Sequence, residues 1–429
     1  MLALSRSAAA LRRGAPAGRR ALAAAASAAV GDIFTPTPEH AALREMVRSF
    51  TAEHVEPQAL VHNREERFNH ALFKQLGDLG LLGLTVGEAH GGSGGDATSC
   101  VIVHEELSAS DPAFCLSYLA HSLLFANNLA VNGSEAQKAR FLPGACDGSR
   151  LGGMCMSEPG AGTDVLAMTT TATPDGGDYV LNGTKMWITN GAATDTELGD
   201  VFLVYARTPP PAGAPAGKPS HSLFVVEKGM PGFSLGQRIK DKCGMRASNT
   251  AELVFEGVRV PAASHMVGGP GEAVGHMMRN LEIERVALAA MSLGIARRSI
   301  QVMSDHAAQR VAFGKPISAY GQIQHYIATS YAEYAAAKAY VYNTAAHMSL
   351  TASSGSRLDS DGVKLFATRM ATGVANRAIQ TLGGYGYCGE YVVERLWRDA
   401  KLLEIGGGTL EAHEKNMTRD LAKLGAPLA

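Results

Sequence analysis

The sequence lacks the features that mark several classes of protein. Its formal net charge is -1, so it has no excess of positive charge for a general nucleic-acid binder. No apolar run approaches the roughly 20 residues that span a bilayer. The six cysteines are scattered and form no CxxC pair, so neither a zinc site nor a disulfide framework is predicted. With 429 residues, 46% of them hydrophobic, the chain predicts a soluble globular protein of two or three domains.

The first 30 residues contain no acidic side chain. They are rich in alanine and carry five arginines, which are Arg6, Arg12, Arg13, Arg19 and Arg20. A basic, acid-poor segment that is amphipathic when helical is typical of a mitochondrial transit peptide. A plastid address is the alternative, whereas a secretory signal fits less well because no uninterrupted apolar core follows the first arginines. Residues 1–30 are therefore predicted to be a targeting segment outside the fold.

Several catalytic signatures are absent as well. The chain has no serine-hydrolase elbow, no HExxH, no P-loop and no complete GxGxxG. The segment SEPGAGTDV (157–165) contains Gly160 and Gly162 but lacks the third glycine, and it does not lie in a βαβ unit, which argues against a Rossmann site. The glycine-rich segment AHGGSGGDAT (89–98) is predicted to be a turn, because no GxxxxGK[ST] is present and no clear strand precedes it.

What is present divides the chain into three regions. Residues 35–150 show helical spacing of apolar side chains, with Thr37 placed to cap the first helix and Pro57 to end it. Further helices are predicted over 70–80, 98–110, 113–131 and 134–142. Residues 151–272 carry short β-type runs separated by turn residues. No helices alternate with these runs, so an antiparallel β-barrel or sandwich is predicted rather than a doubly wound sheet.

The third region, 273–429, is helical again. Long apolar periodicities over four segments predict a four-helix bundle, and these segments are 274–310, 320–350, 360–382 and 409–423. The fold class is therefore α+β, with a helical N-terminal domain, a central β domain and a C-terminal helical bundle.

One polar residue interrupts the apolar stripe of the 274–310 helix. The stripe consists of residues in alternating steps of three and four, namely Met277, Leu281, Leu288, Met291 and Ile295. Glu284 fits the same spacing. A carboxylate on a buried stripe loses hydration, so its pKa rises and it can hold or take a proton near neutral pH. The alternative is a structural glutamate paired with Arg285 or another basic group.

Two glycine clusters and one tryptophan motif are further candidates for ligand binding. LGGYGY (382–387) can be the C-cap of a helix, and IGGGTLEAHE (405–414) can be a flexible turn. Backbone without side chains also lets a large ligand approach closely. In KMWIT (185–189), an indole beside a hydroxyl is either core packing or a shield for one face of a flavin.

Six segments occur together in an order that resembles the acyl-CoA dehydrogenase family of flavoproteins. They are SEPGAGTDV, KMWITNG, GMRASNTAELVFE, RVAFGKPI, LGGYGY and LWRDAKLLEIGGGT. The resemblance covers about residues 35–425. It implies a helical N-terminal domain, a β domain and a C-terminal bundle, assembled as a homotetramer, with FAD as the cofactor.

The resemblance also implies a reaction. A glutamate removes the α-proton of an acyl-CoA thioester while the β-hydrogen leaves as hydride to flavin N5. Most members place this base just before the GT of the last glycine cluster, where this chain has Gly407. A minority place it on the long helix immediately before an arginine, which matches Glu284 and Arg285. Glu284 is therefore predicted to be the base, with Glu404 and Glu411 as the remaining candidates.

Other site residues are implied position by position. Residues matching the FAD-binding segments are Met156, Ser157, Gly162, Thr163, Trp187, Ile188, Thr189, Arg310, Phe313, Gln380, Gly383, Gly384, Thr409 and Glu411. Among these, Arg310 and Phe313 match residues that reach the flavin across a subunit contact. Residues matching the substrate site are Thr163, Glu282, Arg285, Gly407 and Gly408. The chain departs from the family at Gly321, where a glutamine is common and Gln322 lies beside it.

A helix-borne base is the pattern of members that act on isovaleryl-CoA and of the long-chain members. The segments CLSYLAHS, FVVEKGMPGFS and NLEIERVALA favour the first group, and Gly407 leaves room for a branched acyl chain. The expected substrate is a short branched acyl-CoA, namely isovaleryl-CoA from leucine catabolism, with a straight-chain acyl-CoA as the alternative. Electron-transfer flavoprotein in the mitochondrial matrix is the expected acceptor. Two competing hypotheses for the same fold are an acyl-CoA oxidase and a non-catalytic scaffold.

Overall fold

A computed structural model describes residues 32–211, 213, 220–353 and 357–424, and the predicted targeting segment lies outside these ranges. A helical domain comes first, a sheet domain follows, and a second helical domain completes the described chain. The predicted α+β organisation, with its three regions in this order, is confirmed.

Capped helices build the N-terminal domain. Thr37 Oγ1 accepts a hydrogen bond from the His40 backbone N–H at 3.3 Å and so begins the first helix, as predicted. The prediction that Pro57 ends this helix is wrong. The chain continues through a π-helical turn at Thr51–Val55 into a helix whose first turn contains Pro57, where the missing N–H is tolerated. The helices are α1 (Pro38–Phe50), α2 (Glu56–Glu65), α3 (His70–Asp78), α4 (Ala97–Ser108), α5 (Pro112–Leu119), α6 (Asn128–Asn132) and α7 (Glu135–Cys146).

The run Pro112–Asn132 corrects one expectation from the sequence. It joins α5 and α6 through a π-helical turn at Ala120–Asn127, and by length and composition it could cross a membrane. The expectation that no apolar run is long enough is therefore wrong. However, 83% of its most apolar stretch is buried inside the protein. We assign it to the core of the N-terminal domain, since a buried apolar helix passes the same test of composition.

The central domain is an eight-stranded sheet. Its strands are β1 (Gly152–Cys155), β2 (Thr171–Asp175), β3 (Asp178–Thr189), β4 (Val201–Thr208), β5 (Ser220–Glu227), β6 (Phe233–Arg238), β7 (Thr250–Pro261) and β8 (Met266–Val267), with a short helix α8 (Ala262–His265) before the last strand. The strand order is β6-β7-β3-β2-β4-β5-β8, and β1 pairs with β4 beside this path. Most neighbours are antiparallel, as predicted.

Two features of the sheet differ from the predicted antiparallel barrel or sandwich. β4 has two parallel neighbours, β1 and, at Thr171, β2, because long connections rather than hairpins separate these strands from β4. Among the described strands, no pairing joins β6 to β8, so the sheet is open. Residues of β4 alternate between two cores: Val201, Leu203 and Tyr205 face a cluster shared with the N-terminal helices, and the intervening residues face the interior of the sheet domain.

The C-terminal domain contains the four long helices that the sequence predicts. They are α9 (Ala273–Gln309), α10 (Gly321–Ala346), α11 (Leu358–Leu382) and α14 (Leu410–Leu424). A short hairpin of β9 (Val311–Ala312) and β10 (Lys315–Pro316) follows α9, and α11 is followed by α12 (Gly384–Tyr387) and α13 (Val392–Leu403). The sequence analysis did not identify α13, although its buried residues contribute to the core.

Helix α9 packs against both of the other domains. Gly294 lies against α4, where an added Cβ would come 2.2 Å from Ser108 Oγ, so a side chain here would push the helices apart. Ser108 Oγ donates across this contact to the Met291 carbonyl at 3.0 Å. The apolar stripe predicted for α9 is buried along its length. Glu284, on that stripe, is thereby placed inside the protein.

Candidate active site

Glu284 is a buried carboxylate without a hydrogen-bond partner on one oxygen. Its side chain lies on α9 with 9% of the residue exposed, and Oε2 accepts no hydrogen bond within the described chain. Burial raises the pKa of Glu284, while the nearby cations Lys364 and Arg285 oppose that rise. The prediction that the apolar spacing buries this carboxylate is confirmed. A buried carboxylate with a free oxygen and a raised pKa can exchange a proton near neutral pH.

Gly407 lies directly against Glu284. A Cβ added at Gly407 would come 3.4 Å from Glu284 Cδ and 2.6 Å from Leu288 Cδ1. Its φ of +66° is also one that favours glycine. The structure therefore brings together the two positions at which the family resemblance places a base, and only Glu284 supplies a carboxylate there.

A buried polar network holds the loop that contains Gly407. The Gly408 carbonyl accepts hydrogen bonds from Lys364 Nζ and, at 3.0 Å, from His413 Nε2. His413 Nδ1 lies 2.6 Å from Asp361 Oδ1, and the same oxygen is 3.1 Å from Arg285 Nη1. Burial lowers the pKa of Lys364 to about 7 against the attraction of Glu284, and burial also lowers the pKa of His413.

The sequence analysis missed this network, although a signal was present. Asp361, Lys364 and Thr368 are spaced by three and four residues on α11, and all three are fully buried. These polar residues interrupt the apolar stripe of α11 in the same way that Glu284 interrupts the stripe of α9. The identity of their partners depends on how α11, α14 and α9 cross, which spacing along one helix does not give.

The remaining predicted substrate residues and candidate bases have other partners. Glu404 pairs with Lys401 at 2.6 Å, and Glu411 is exposed in the first turn of α14. Glu282 is buried and accepts a hydrogen bond from Ser353 Oγ at 2.6 Å. Thr409 Oγ1 accepts from the Ala412 backbone N–H at 3.3 Å. Of the three candidate bases, Glu284 is the one that adjoins Gly407.

A second group of predicted residues forms a loop that is pinned to β3. Lys185 Nζ donates to Glu158 at 2.9 Å and to the Met156 carbonyl at 3.1 Å. Glu158 also accepts from the backbone N–H groups of Thr169 and Thr170. Burial alone would raise the pKa of Glu158, but Lys185 and these hydrogen bonds lower it to about 2. This ion pair, which the sequence analysis also missed, fixes the start of SEPGAGTDV, and the hydrogen bonds from Thr169 and Thr170 tie that start to the chain beyond the segment.

The same region presents an open surface suited to a flat aromatic ligand. Trp187 is 55% exposed with a φ of +60°, and the preceding Met186 N–H donates to the Ser157 carbonyl at 2.9 Å. An added Cβ at Gly160 or Gly162 would meet nothing within 4 Å. Ile188, which follows Trp187, is buried. Hydroxyl groups nearby along the chain belong to Ser157, Thr163 and Thr189. An exposed indole, hydroxyls and open backbone fit a flavin.

The residues expected to act across a subunit contact lie elsewhere. Arg310 follows α9, roughly 39 Å along the helix axis from Glu284 at 1.5 Å per residue. The Arg310 guanidinium lies 5.9 Å from the centre of the Tyr385 ring, beside exposed Gly383 and Gly384. Phe313 is 96% exposed at the tip of the β9–β10 hairpin. Gln380, Gly321 and Gln322 are also exposed.

Side chains from all three domains converge near Glu284. Asn128 of the N-terminal domain donates to the Tyr205 hydroxyl of β4 at 3.2 Å, and Asn280 of α9 contacts Met154 of β1 at 3.7 Å. Burial raises the pKa of Tyr205 to about 12, and Glu284 adds to that rise. The candidate base therefore lies where the sheet domain meets both helical domains, a common place for a ligand site.

Comparison with known proteins identifies the relatives of this chain. Models of the N-terminal, middle and C-terminal domains of acyl-CoA dehydrogenase match residues 37–149, 153–258 and 274–422. The mitochondrial isovaleryl-CoA dehydrogenase of Oryza sativa subsp. japonica is 40% identical over 96% of this chain and 97% of its own length. That of Pongo abelii is 41% identical, covering 87% and 86%. A mitochondrial 2-methylacyl-CoA dehydrogenase of Solanum tuberosum is 38% identical, covering 89% and 90%.

Solved structures agree. Butyryl-CoA dehydrogenase from Megasphaera elsdenii superposes with a TM-score of 0.83 at 33% identity, over 91% of this chain and 98% of its own. A chain solved with the electron transferring flavoprotein of Acidaminococcus fermentans gives 0.83 at 32%, over 90% and 98%. A glutaryl-CoA dehydrogenase from Mycobacterium smegmatis, in complex with FADH2, gives 0.81 at 28%, over 90% and 95%. The chain belongs to the acyl-CoA dehydrogenase family and is an oxidoreductase that acts on acyl-CoA.

Proposed function

We propose that this protein catalyses the FAD-dependent α,β-dehydrogenation of a short branched acyl-CoA, converting isovaleryl-CoA to 3-methylcrotonyl-CoA with Glu284 as the base. The observation that supports this proposal best is the buried Glu284 carboxylate, with one free oxygen, against Gly407. Gly407, at the position where most family members carry the base, has no side chain. It adjoins Glu284, whose carboxylate would take over the role of that base.

The chain's own groups account for the proton-transfer half of the reaction. Glu284 takes the α-proton, the Cα–H electron pair forms the new double bond, and the β-hydrogen leaves with its own pair. Burial favours this step because it raises the basicity of Glu284 and excludes water. Arg285 Nε makes no hydrogen bond within the described chain, so this guanidinium retains a donor for the CoA ester while Nη1 is paired with Asp361. Glu282, Thr163 and Gly408 complete the proposed substrate contacts.

FAD is the proposed cofactor. When bound, it would accept the β-hydrogen as hydride at N5. Met156, Ser157, Gly162 and Thr163 would hold one edge of the ring system, and the exposed face of Trp187 would cover it, with Ile188 and Thr189 beside it. Thr409 and Glu411 would contribute from the last glycine loop. The relative solved with FADH2 supports this assignment.

Arg310, Phe313, Gln380, Gly383 and Gly384 are proposed to hold the FAD of a neighbouring subunit. Arg310 lies roughly 39 Å along α9 from Glu284, with the Tyr385 ring beside it, which is too far away to share the atoms that react at Glu284. Phe313 is exposed in the single chain, and a contact with a neighbouring subunit would bury it. We therefore propose a homotetramer, as the family resemblance implies, in which no site is complete in one chain.

One observation supports a branched substrate. The relatives with high identity include enzymes named for isovaleryl-CoA and for 2-methylacyl-CoA. Electron-transfer flavoprotein is the proposed acceptor, and the mitochondrial matrix is the proposed location, by analogy with the mitochondrial relatives.

Anaerobic bleaching of the flavin tests the proposal. Isovaleryl-CoA should bleach the wild type faster than octanoyl-CoA does. Glu284→Gln should bind the same substrate without bleaching, while Glu404→Gln, a matched control at a second candidate carboxylate, should bleach normally. Bleaching of Glu284→Gln at the wild-type rate would overturn the assignment of the base. A preference for octanoyl-CoA would overturn the branched substrate alone, and rapid reoxidation in air would identify an oxidase.

A further inference from the structure

Lys364 is a buried cation whose only hydrogen bond within the described chain is to a backbone carbonyl. Its residue is fully buried on α11, and Nζ donates to the Gly408 carbonyl. Burying an ammonium group costs several kcal/mol unless charge or hydrogen bonds compensate it. A hydrophobic residue would fill the same space without that cost, so the ammonium calls for a functional explanation.

The charged groups that act on Lys364 come from four helices. They are Glu284 and Arg285 from α9, Asp361 from α11 itself, Glu404 from the end of α13 and His413 from α14. Arg285 and His413 both lie against Asp361, at 3.1 Å and 2.6 Å. Glu404 is held by Lys401 at 2.6 Å. Of the two cations that act on Glu284, Arg285 is paired with Asp361, whereas Lys364 has no ion pair within the described chain.

Lys364 is also linked to Glu284 through the backbone. It holds the Gly408 carbonyl together with His413, and the adjacent Gly407 packs against the Glu284 carboxyl group. Moving this loop would change the space around the carboxylate, because even one added carbon at Gly407 would lie 3.4 Å from Glu284 Cδ.

We propose that Lys364 is a positioning residue for the base: its ammonium group holds the Gly407–Gly408 loop against Glu284 and supplies positive charge near the Glu284 carboxylate. This inference rests on the proposed function. Lys364 does not touch the reacting atoms in this account, and its effect on rate is expected to arise through the charge state and position of Glu284.

The pH dependence of single-turnover flavin reduction by isovaleryl-CoA tests this role. Lys364→Met removes the positive charge, so the acid limb of the profile should move to higher pH, by about one to three units for the loss of a nearby opposite charge. Lys364→Gln can still donate to the Gly408 carbonyl but carries no charge, and it should show the same direction of shift. Lys364→Arg keeps the charge and should leave the limb where the wild type has it.

Lys338→Met is the matched control. Lys338 is a partly buried lysine of the same domain, 3.4 Å from Glu105, and its loss should lower the melting temperature without moving the acid limb. Flavin content and melting temperature are measured for each variant, and Lys364→Gln serves if Lys364→Met does not fold.

Three results would count against the inference. An unmoved limb in active, flavin-loaded Lys364→Gln would show that Lys364 is structural only. An equal shift in Lys364→Arg would show that charge is not the cause. If no acyl-CoA reduced the wild-type flavin, the proposed function itself would be overturned, and this inference with it.

Discussion

Helix α9 passes through two buried charge clusters that differ in one respect. Near its middle, Glu284 has an oxygen without a hydrogen-bond partner in the described chain. About 20 Å further along the helix, at 1.5 Å per residue, Arg297 joins a cluster around Glu105 and Glu106 of α4. The oxygens of Glu105 accept from the Tyr334 hydroxyl at 3.1 Å and the Tyr342 hydroxyl at 2.6 Å, and three cations surround it.

The pKa values of the two clusters move in opposite directions. Burial raises the pKa of Glu284, because Lys364 and Arg285 only partly compensate it. Burial alone would also raise the pKa of Glu106, yet Arg297 and its other partners lower it to about 2. The pKa of Glu105 is likewise held far below its usual range. The comparison teaches that the number of partners, rather than burial, separates a structural carboxylate from a reactive one.

The largest expected effect is on turnover. Glu284→Gln should lower the turnover rate with isovaleryl-CoA by about 10²–10⁴-fold, since the amide cannot accept the α-proton. Glu105→Gln should retain most of the turnover per folded, flavin-loaded molecule, because its partners hold helices together away from Gly407. Steady-state assays normalised to flavin content measure both. A comparable loss in the two variants would remove the distinction between the clusters.

The second expected effect is on stability, where Glu105→Gln should have the larger effect and Glu284→Gln the smaller one. Glu105→Gln should lower the free energy of unfolding by about 3–5 kcal/mol, because it breaks a buried network and leaves Arg44 and Lys338 undercompensated. Glu284→Gln should change it by less than about 1 kcal/mol, since Oε2 has no hydrogen bond to lose within the described chain. Urea denaturation of both variants measures the difference. Equal destabilisation would show that Glu284 is also structural.

A third, smaller effect concerns the pairing of Gly407 with Glu284. Because the two positions adjoin, a carboxylate carried at residue 407 should partly replace one at residue 284. We expect the double variant Gly407→Glu/Glu284→Gln to recover about tenfold over Glu284→Gln alone, limited by the φ of +66° and by Leu288. Gly407→Ala/Glu284→Gln is the control, because it adds bulk without a carboxylate. Equal activity of the two double variants would contradict the adjacency.

The smallest expected effect is on the pH dependence of stability. The lowered pKa of Glu106 contributes stability that is fully present above its ordinary value of 4.5 and is lost as the pH falls towards 2. In Glu106→Gln, stability should therefore fall less steeply than in the wild type as the pH decreases through this range. The raised pKa of Glu284 acts in the opposite sense. Stability should therefore still fall as the pH is lowered in Glu284→Gln, at least as steeply as in the wild type. Thermal unfolding between about pH 5 and pH 3 compares the slopes.

The sequence predicts the parts of this account that depend on periodicity. The spacing of α9 identified Glu284 as a buried carboxylate, and the family motifs identified Gly407 as the position facing it. The structure differs where the answer depends on packing in three dimensions. Lys364 and His413 meet only because α11 and α14 bring them to the Gly408 carbonyl. Likewise, a π-helical turn lets the chain continue past Pro57, which local propensity predicted as a stop.

The sheet shows the same division. Short β-type runs identified 151–272 as the region that contains the strands, and the absence of alternating helices argued against a doubly wound sheet. The parallel pairing of β1 with β4 could not be predicted, because the strands are about 45 residues apart and strand direction is set by the connection rather than by the strands' own side chains.

The most direct test of the central claim is α-proton exchange from acetyl-CoA in deuterium oxide, followed by mass spectrometry. Acetyl-CoA has α-hydrogens but no β-carbon, so exchange reports proton abstraction without hydride transfer. We predict that the wild type and Glu404→Gln exchange these hydrogens and that Glu284→Gln does not. Exchange by Glu284→Gln at the wild-type rate would contradict the assignment of Glu284 as the base.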